Sequence, residues 1–202
     1  MATERTQLFT DILSTARDPV MSQNNAREWL REQALNVRSV QNPKTLVTQQ
    51  SDRLVTKLTP QSIGRMYLFM YDPKTKDTLP YYDRFPLVFP FQQAQGGFYG
   101  INMHYLPHIL RARLMDALYA TVNNNSNDDT TRLRLTYKIL NASSRFRFFR
   151  PCIKHYLNTH VKTRYLWIPT EQWDTALFLP LERFVGANKQ KVWRDSRQMI
   201  GV

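Results

Sequence analysis

The chain has 202 residues and is 42% hydrophobic, enough for one folded domain with a buried core, which excludes wholesale disorder. Mean hydropathy is −0.50 and no apolar run approaches the roughly 18 residues of a membrane span, which excludes an integral membrane helix. Twenty-eight Lys and Arg against 16 Asp and Glu leave a formal net charge of +12.

The opening run carries Glu4 and Asp11 where a secretory leader needs an apolar stretch, so no leader is expected. Glu4 to Ala16 predicts a helix, stopped by Asp18-Pro19. Asn25 is a candidate N-cap with Glu28 three residues on, and Ala26, Trp29, Leu30 and Ala34 follow on one helical stripe. Residues 1–38 are therefore expected to form an N-terminal helical arm. Residues 39–62 are polar and hold Pro43 and Pro60, the composition of an extended linker. The remainder, 63–202, is expected to be an α+β body in which a short antiparallel sheet packs with helices and the C-terminal third is basic.

Within the body, Met66-Tyr67-Leu68-Phe69-Met70-Tyr71 is apolar on both faces, as a strand buried on both sides requires. Asp72 to Asp77 has turn chemistry. Pro80, Pro86 and Pro90 each delete a ladder donor, so Leu79 to Phe91 predicts an edge strand or an extended aromatic wall. Gly96-Gly97 turns the chain into a returning strand from Phe98 to Tyr105, giving two or three antiparallel strands over residues 66–105. Pro107 opens a helix with Ile109, Leu110, Leu114, Ala117 and Leu118 inward, and Arg111 and Arg113 outward. Asn123 to Asp129 is a polar loop, and Thr130 to Leu140 fits a strand or a helix equally. Ile153 to Val161 predicts a helix, Thr163 to Ile168 a strand, and Glu171 to Leu177 a short helix capped by Thr170. Asn188 to Arg197 predicts a basic final helix anchored by Trp193.

Chemistry-bearing patterns are few. No phosphate loop, nucleophile elbow or His-Glu-x-x-His run is present, so no catalytic residue, metal, cofactor or small-molecule substrate is expected. Cys152 with His155 and His160 lacks a fourth ligand at a zinc spacing and predicts a buried thiol beside solvated histidines. A lone cysteine makes no internal disulfide, which suits a reducing compartment or a fold without staples. His104 and His108 read as packing or capping residues. The scarce carboxylates argue against a metal-dependent nuclease.

The charge is unevenly placed: residues 132–202 hold 14 basic and four acidic side chains, and Arg132 to Arg164 holds nine basic residues and no acidic one. An excess of that kind suits nucleic acid phosphate, an acidic protein neighbour or a merely solvated face. Arg145-Phe146-Arg147-Phe148-Phe149-Arg150, followed by Lys154, alternates phosphate-pairing guanidiniums with rings that stack on unpaired bases. The same run also fits a strand with Phe146 and Phe148 inward. Arg132, Arg134, Arg145, Arg147, Arg150, Lys154, Lys189, Lys191, Arg194 and Arg197 are the candidate DNA-binding residues. Tyr81, Tyr82, Phe85 and Phe89, on the aromatic wall, are the candidate protein-docking residues.

Several longer strings are idiosyncratic: Tyr71-Asp72-Pro73-Lys74, Leu79 to Leu87, Gly97 to Pro107, Phe149 to Leu157 and Phe178 to Phe184. They resemble virion structural proteins of T-even-like contractile-tailed phages, nearest the DNA end protectors, with baseplate or tail-hub components as the competing resemblance. The first implies a non-enzymatic protein bound to phage genomic DNA near the head–tail vertex; the second implies docking on neighbouring tail proteins. Both imply assembly in the host cytoplasm, a place in the virion among neck or baseplate proteins, and no membrane partner. Neither transfers a catalytic residue.

Overall fold

The computed structural model describes residues 43–44, 51–121, 136–142 and 145–202. The expected helical arm, Arg132 and Arg134 lie outside the described residues.

The fold is α+β, built on an antiparallel sheet of six strands. These are β1 (Leu54–Val55), β2 (Met66–Leu68), β4 (Leu87–Ala94), β5 (Gly97–Asn102), β6 (Ile153–Leu157) and β7 (Tyr165–Ile168), in the order β1-β7-β2-β4-β5-β6. β3 (Tyr82–Asp83) pairs with β8 (Phe184–Val185) in a separate ribbon. Among the described residues the α-helices are α1 (His108–Thr121), α2 (Tyr137–Ala142), α3 (Phe146–Phe149), α4 (Trp173–Phe178) and α5 (Lys189–Ile200). β1 falls inside the stretch expected to be linker, so the sheet begins before residue 63.

Alternation along the strands produces two cores. Met66, Leu68, Leu87, Phe89, Ile101, Leu166 and Ile168 face the helices, where Leu114, Leu118, Trp173, Leu177, Val192 and Ile200 meet them. Tyr67, Phe69, Tyr71, Phe98, Tyr156 and Tyr165, with Val88, form a second and largely aromatic cluster. The strand expected to be buried on both sides, Met66 onward, is thus β2 and its continuation.

Four expectations change. The sheet has six strands because β1, β6 and β7 join those from residues 66–102. β4 is interior despite Pro90: the register shifts between Pro90 and Gln92, and β2 pairs only with Leu87 and Val88, so the missing donor falls beside a bulge and past the partner strand. Ile153–Leu157 is a strand where a helix was expected, because it pairs antiparallel with β5 along its whole length. A Cβ on Gly97 would collide with the Tyr156 carbonyl oxygen, and one on Gly100 with the Val88 side chain. Phe146–Phe149 is a helical turn rather than a strand, since spacing of three buries Phe149 fully while Phe146 and Phe148 stay half-buried.

The largest departure is Arg111. Expected on the outer face of its helix, it is fully buried, and Ile109 is instead 70% exposed. Arg111 Nε donates to the Leu106 carbonyl at 2.7 Å, Nη1 to the Leu177 carbonyl at 2.8 Å and Nη2 to the Glu182 carboxylate at 3.1 Å. A buried guanidinium is tolerated only when its donors are matched in this way. Burial would raise the Glu182 carboxyl, but Arg111, with smaller contributions from neighbouring groups, outweighs it and holds the pKa at about 2. Burial, and then Arg111, lowers His108 to about 4.

Arg111→Met strands a buried carboxylate and two carbonyls, and is expected to cost about 3–5 kcal/mol in urea unfolding. The double variant with Glu182→Met should recover part of that deficit. A second expectation concerns acid. Both groups have depressed pKa values in the folded chain, so each stabilises above its unfolded pKa and loses that contribution as pH falls. Unfolding midpoints should therefore drop from about pH 6.5 towards 4 through His108 and from about 4.5 towards 2 through Glu182. A flat profile from pH 7 to 3 contradicts this.

Candidate nucleic-acid interface

β6 is an outer strand, and its pairing with β5 decides which backbone groups face outward. Asn102 N–H donates to the Cys152 carbonyl at 2.8 Å, and Asn158 N–H donates to the Gly96 carbonyl at 2.9 Å. Lys154 and Tyr156 share that phase, so the N–H and C=O groups of Ile153, His155 and Leu157 lie along the open edge. Leu157 N–H is satisfied there by the Tyr71 hydroxyl at 3.1 Å.

A cleft of about 510 Å³ runs along this edge, between β6 and the turn over residues 73–83. Its lining includes Lys74, Tyr81, Tyr82, Tyr105, Lys154 and His155. The far wall is held by Asp83, which is 3% exposed. Asp83 Oδ1 accepts from the Phe85 and Arg183 backbone N–H groups at 3.1 and 3.3 Å; Oδ2 accepts from Asn102 Nδ2 at 3.1 Å and His104 Nδ1 at 2.8 Å. A carboxylate only accepts, so the His104 proton sits on Nδ1. The packing role expected of His104 agrees with its complete burial, and the group that orients its ring, Asp83, lies 21 residues upstream.

Lys154 Nζ lies 4.0 Å from the centre of the Tyr105 ring. Burial lowers its pKa, and no carboxylate lies within ion-pair range of it among the described residues. The Tyr105 and Tyr81 rings are 6.2 Å apart, and Lys191 Nζ is 5.9 Å from the Tyr81 ring. Burial, and then the neighbouring Asp195 carboxylate, pushes the Tyr81 hydroxyl upward. Two tyrosine rings therefore stand between two lysines; the His155 ring stacks on Tyr99 at 4.9 Å on the opposite face of β6 from the Lys154 side chain.

The other candidate cations lie on α3 and α5, which pack together. Arg145, Arg147 and Arg150 are exposed, and the Arg147 guanidinium lies 5.3 Å over the Phe148 ring. The final helix is present as expected, capped by Asn188 through Lys191 N–H, and Trp193 is half-buried with its indole N–H on the His104 carbonyl. Arg194 and Arg197 are exposed, whereas Lys189 pairs with Glu182 at 3.4 Å and Lys191 with Asp195 at 2.9 Å. Two of the four α5 cations are thus already partly neutralised.

Among the docking candidates, Tyr81 and Tyr82 line the cleft, half-buried. Phe85 and Phe89 do not reach the surface: they are 7% and 0% exposed, and Phe89 meets Trp173 edge-on at 4.9 Å. Phe89 is sent into the core by alternation along β4, and Phe85 by the bend before it, where its N–H is held by Asp83. The aromatic wall and the basic third, separate surfaces by sequence, share the cleft through Tyr81, Tyr82 and Lys154. Lys74, Asp83 and Tyr105 had no sequence signal as site residues beyond lying inside the idiosyncratic strings, since only the pairing of β5 with β6 and of β3 with β8 gathers them. Cys152 is the buried thiol expected, and burial pushes it up to about 12.

A family model described as Phage T4 terminal DNA protecting protein matches residues 7–196. No curated protein and no solved structure matches the chain.

Asp83→Ala removes the acceptor for two buried side chains and two backbone donors, and is expected to cost at least about 3 kcal/mol. Hydrogen exchange should quicken over residues 79–85 well before it does in β2 and β4. Uniform exchange across both regions would mean that Asp83 does not hold the wall.

Proposed function

The chain belongs to the Phage T4 terminal DNA protecting protein family, and on that premise we propose that it caps the ends of linear phage DNA as a non-enzymatic virion protein. The observation that carries this reading is the exposed arginine surface of α3 beside α5. Arg145, Arg147 and Arg150 contact phosphate from one side and Arg194 and Arg197 from the other, with Lys189 and Lys191 contributing less because Glu182 and Asp195 already pair with them. Arg132 and Arg134 belong to the same basic run of the sequence.

Capping of this kind needs no bond chemistry. Guanidiniums pair phosphates bidentately, condensed counterions are released, and the occupied terminus is closed to other proteins. Phosphate contacts position a protein without reading sequence, so the grip tolerates any terminal sequence. The location that suits an end cap is the head–tail vertex, with neighbouring neck proteins as its protein partners and assembly in the host cytoplasm. The match over residues 7–196 favours this reading over that of a baseplate or tail-hub component.

Arg145→Ala, Arg147→Ala and Arg150→Ala combined should weaken binding to a short linear duplex and flatten the plot of log affinity against log salt. The slope should fall by about 0.9 for every phosphate that is no longer neutralised. Circular dichroism should be unchanged, since all three side chains are exposed. An unaltered slope removes DNA binding from α3.

A further inference from the structure

The cleft beside β6 is not explained by phosphate binding on the outer arginine surface. It holds Lys154, whose ammonium stands over a ring with no carboxylate to compensate it among the described residues. Lys74 and His155 line the same space, and Tyr81 and Tyr82 add ring surface to the facing wall. Among the described residues, Asp83 is the one carboxylate in the lining, and its oxygens are taken by four donors. Along the floor, the backbone N–H groups of Ile153 and His155 point into the open edge. Cations, backbone donors and rings together select a ligand with an anionic group attached to a flat, stackable one.

Size narrows the choice. A cleft of about 510 Å³ is in the range of small-ligand pockets and admits a single nucleotide, not a base pair with both its backbones. An extended acidic peptide would use the same cations and the same strand edge but would leave the tyrosine rings without a planar partner. We infer that the cleft receives the terminal unpaired nucleotide of a DNA strand, its terminal phosphate on Lys154 and its base against Tyr82. This rests on the end-capping reading and adds what distinguishes an end from the interior of a duplex: a phosphate monoester and a base free to leave the stack. The α3 and α5 arginines hold the adjoining duplex, and the cleft reads the terminus.

The test uses the full chain and one duplex sequence in three forms: a closed circle, a linear form with two unpaired 5′ nucleotides ending in phosphate, and the same form ending in hydroxyl. Binding is followed by competition at fixed salt. The phosphorylated end should bind about tenfold more tightly than the hydroxyl end, the scale of one charge-assisted hydrogen bond. Lys154→Met should abolish that difference while leaving the preference for linear over circular DNA. Tyr82→Leu, which spares Lys154, should weaken both linear forms without changing their ratio. If linear DNA is preferred but phosphate and hydroxyl ends bind alike, the cleft does not read the terminus, and the end-capping reading stands without it. If the phosphate effect survives Lys154→Met, the phosphate lies elsewhere and the assignment is overturned. If Lys154→Met and Tyr82→Leu change no DNA affinity, the cleft's anion is a protein carboxylate and the inference is wrong. If the circle binds as well as either linear form, the end-capping reading itself fails.

Discussion

Asp83 is the point on which the surface architecture depends. One buried carboxylate collects donors from Phe85, Asn102, His104 and Arg183, which belong to separate stretches of the chain. A buried charge is stable only when its acceptor sites are filled, so these segments hold a common geometry or none. The β3–β8 ribbon is thereby fixed against the end of β5. That places Tyr81 and Tyr82 opposite β6 and brings Tyr105 beneath Lys154. Next to this centre, Glu182 precedes Arg183 in sequence and meets Arg111 from α1, so a second buried charge pair ties the central helix to the same region. The two buried charge centres brace neighbouring parts of the fold.

Sheet geometry supplies the other half. β6 fits closely against β5 because Gly97 stands where a side chain would collide with the Tyr156 carbonyl, and Gly100 likewise leaves room for Val88 of β4 on the other side of β5. Strand pairing then leaves alternate backbone groups of β6 on an open edge, and the edge faces the cleft. Open edges recruit other chains unless they are blunted; here the turn over residues 73–83 and the lysines at its rim cover the edge without pairing with it.

Much of the framework was legible from the sequence. The double-sided burial of Met66 to Tyr71, the Gly96-Gly97 turn, the strand ending at Ile168 and the basic final helix from Asn188 all rest on local patterns that tertiary contacts reinforce. The basic third was legible as composition, and it led to α3 and α5. What failed did so where distant residues decide. Arg111 sits on a helix whose apolar spacing points it outward, but Leu177 and Glu182, more than 60 positions away, offer acceptors that no periodicity reveals. Ile153 to Leu157 follows a proline and has no clear alternation, so only its pairing with the distant β5 identifies it as a strand. Phe85 and Phe89 looked like a docking wall because prolines seemed to bar an interior strand; the bulge after Pro90 removes that bar. The cleft combines residues from both groups of candidates, and spacing along the chain could not have shown that they meet.

The central claim is that this chain occupies DNA ends rather than DNA length. The most direct measurement is protection of linear duplexes from a processive exonuclease, with the molar concentration of ends held constant while duplex length is varied tenfold. End capping predicts that the amount of protein needed for protection follows the number of ends and is the same for every length. A requirement that grows in proportion to length would mean coating along the duplex, and would contradict the account.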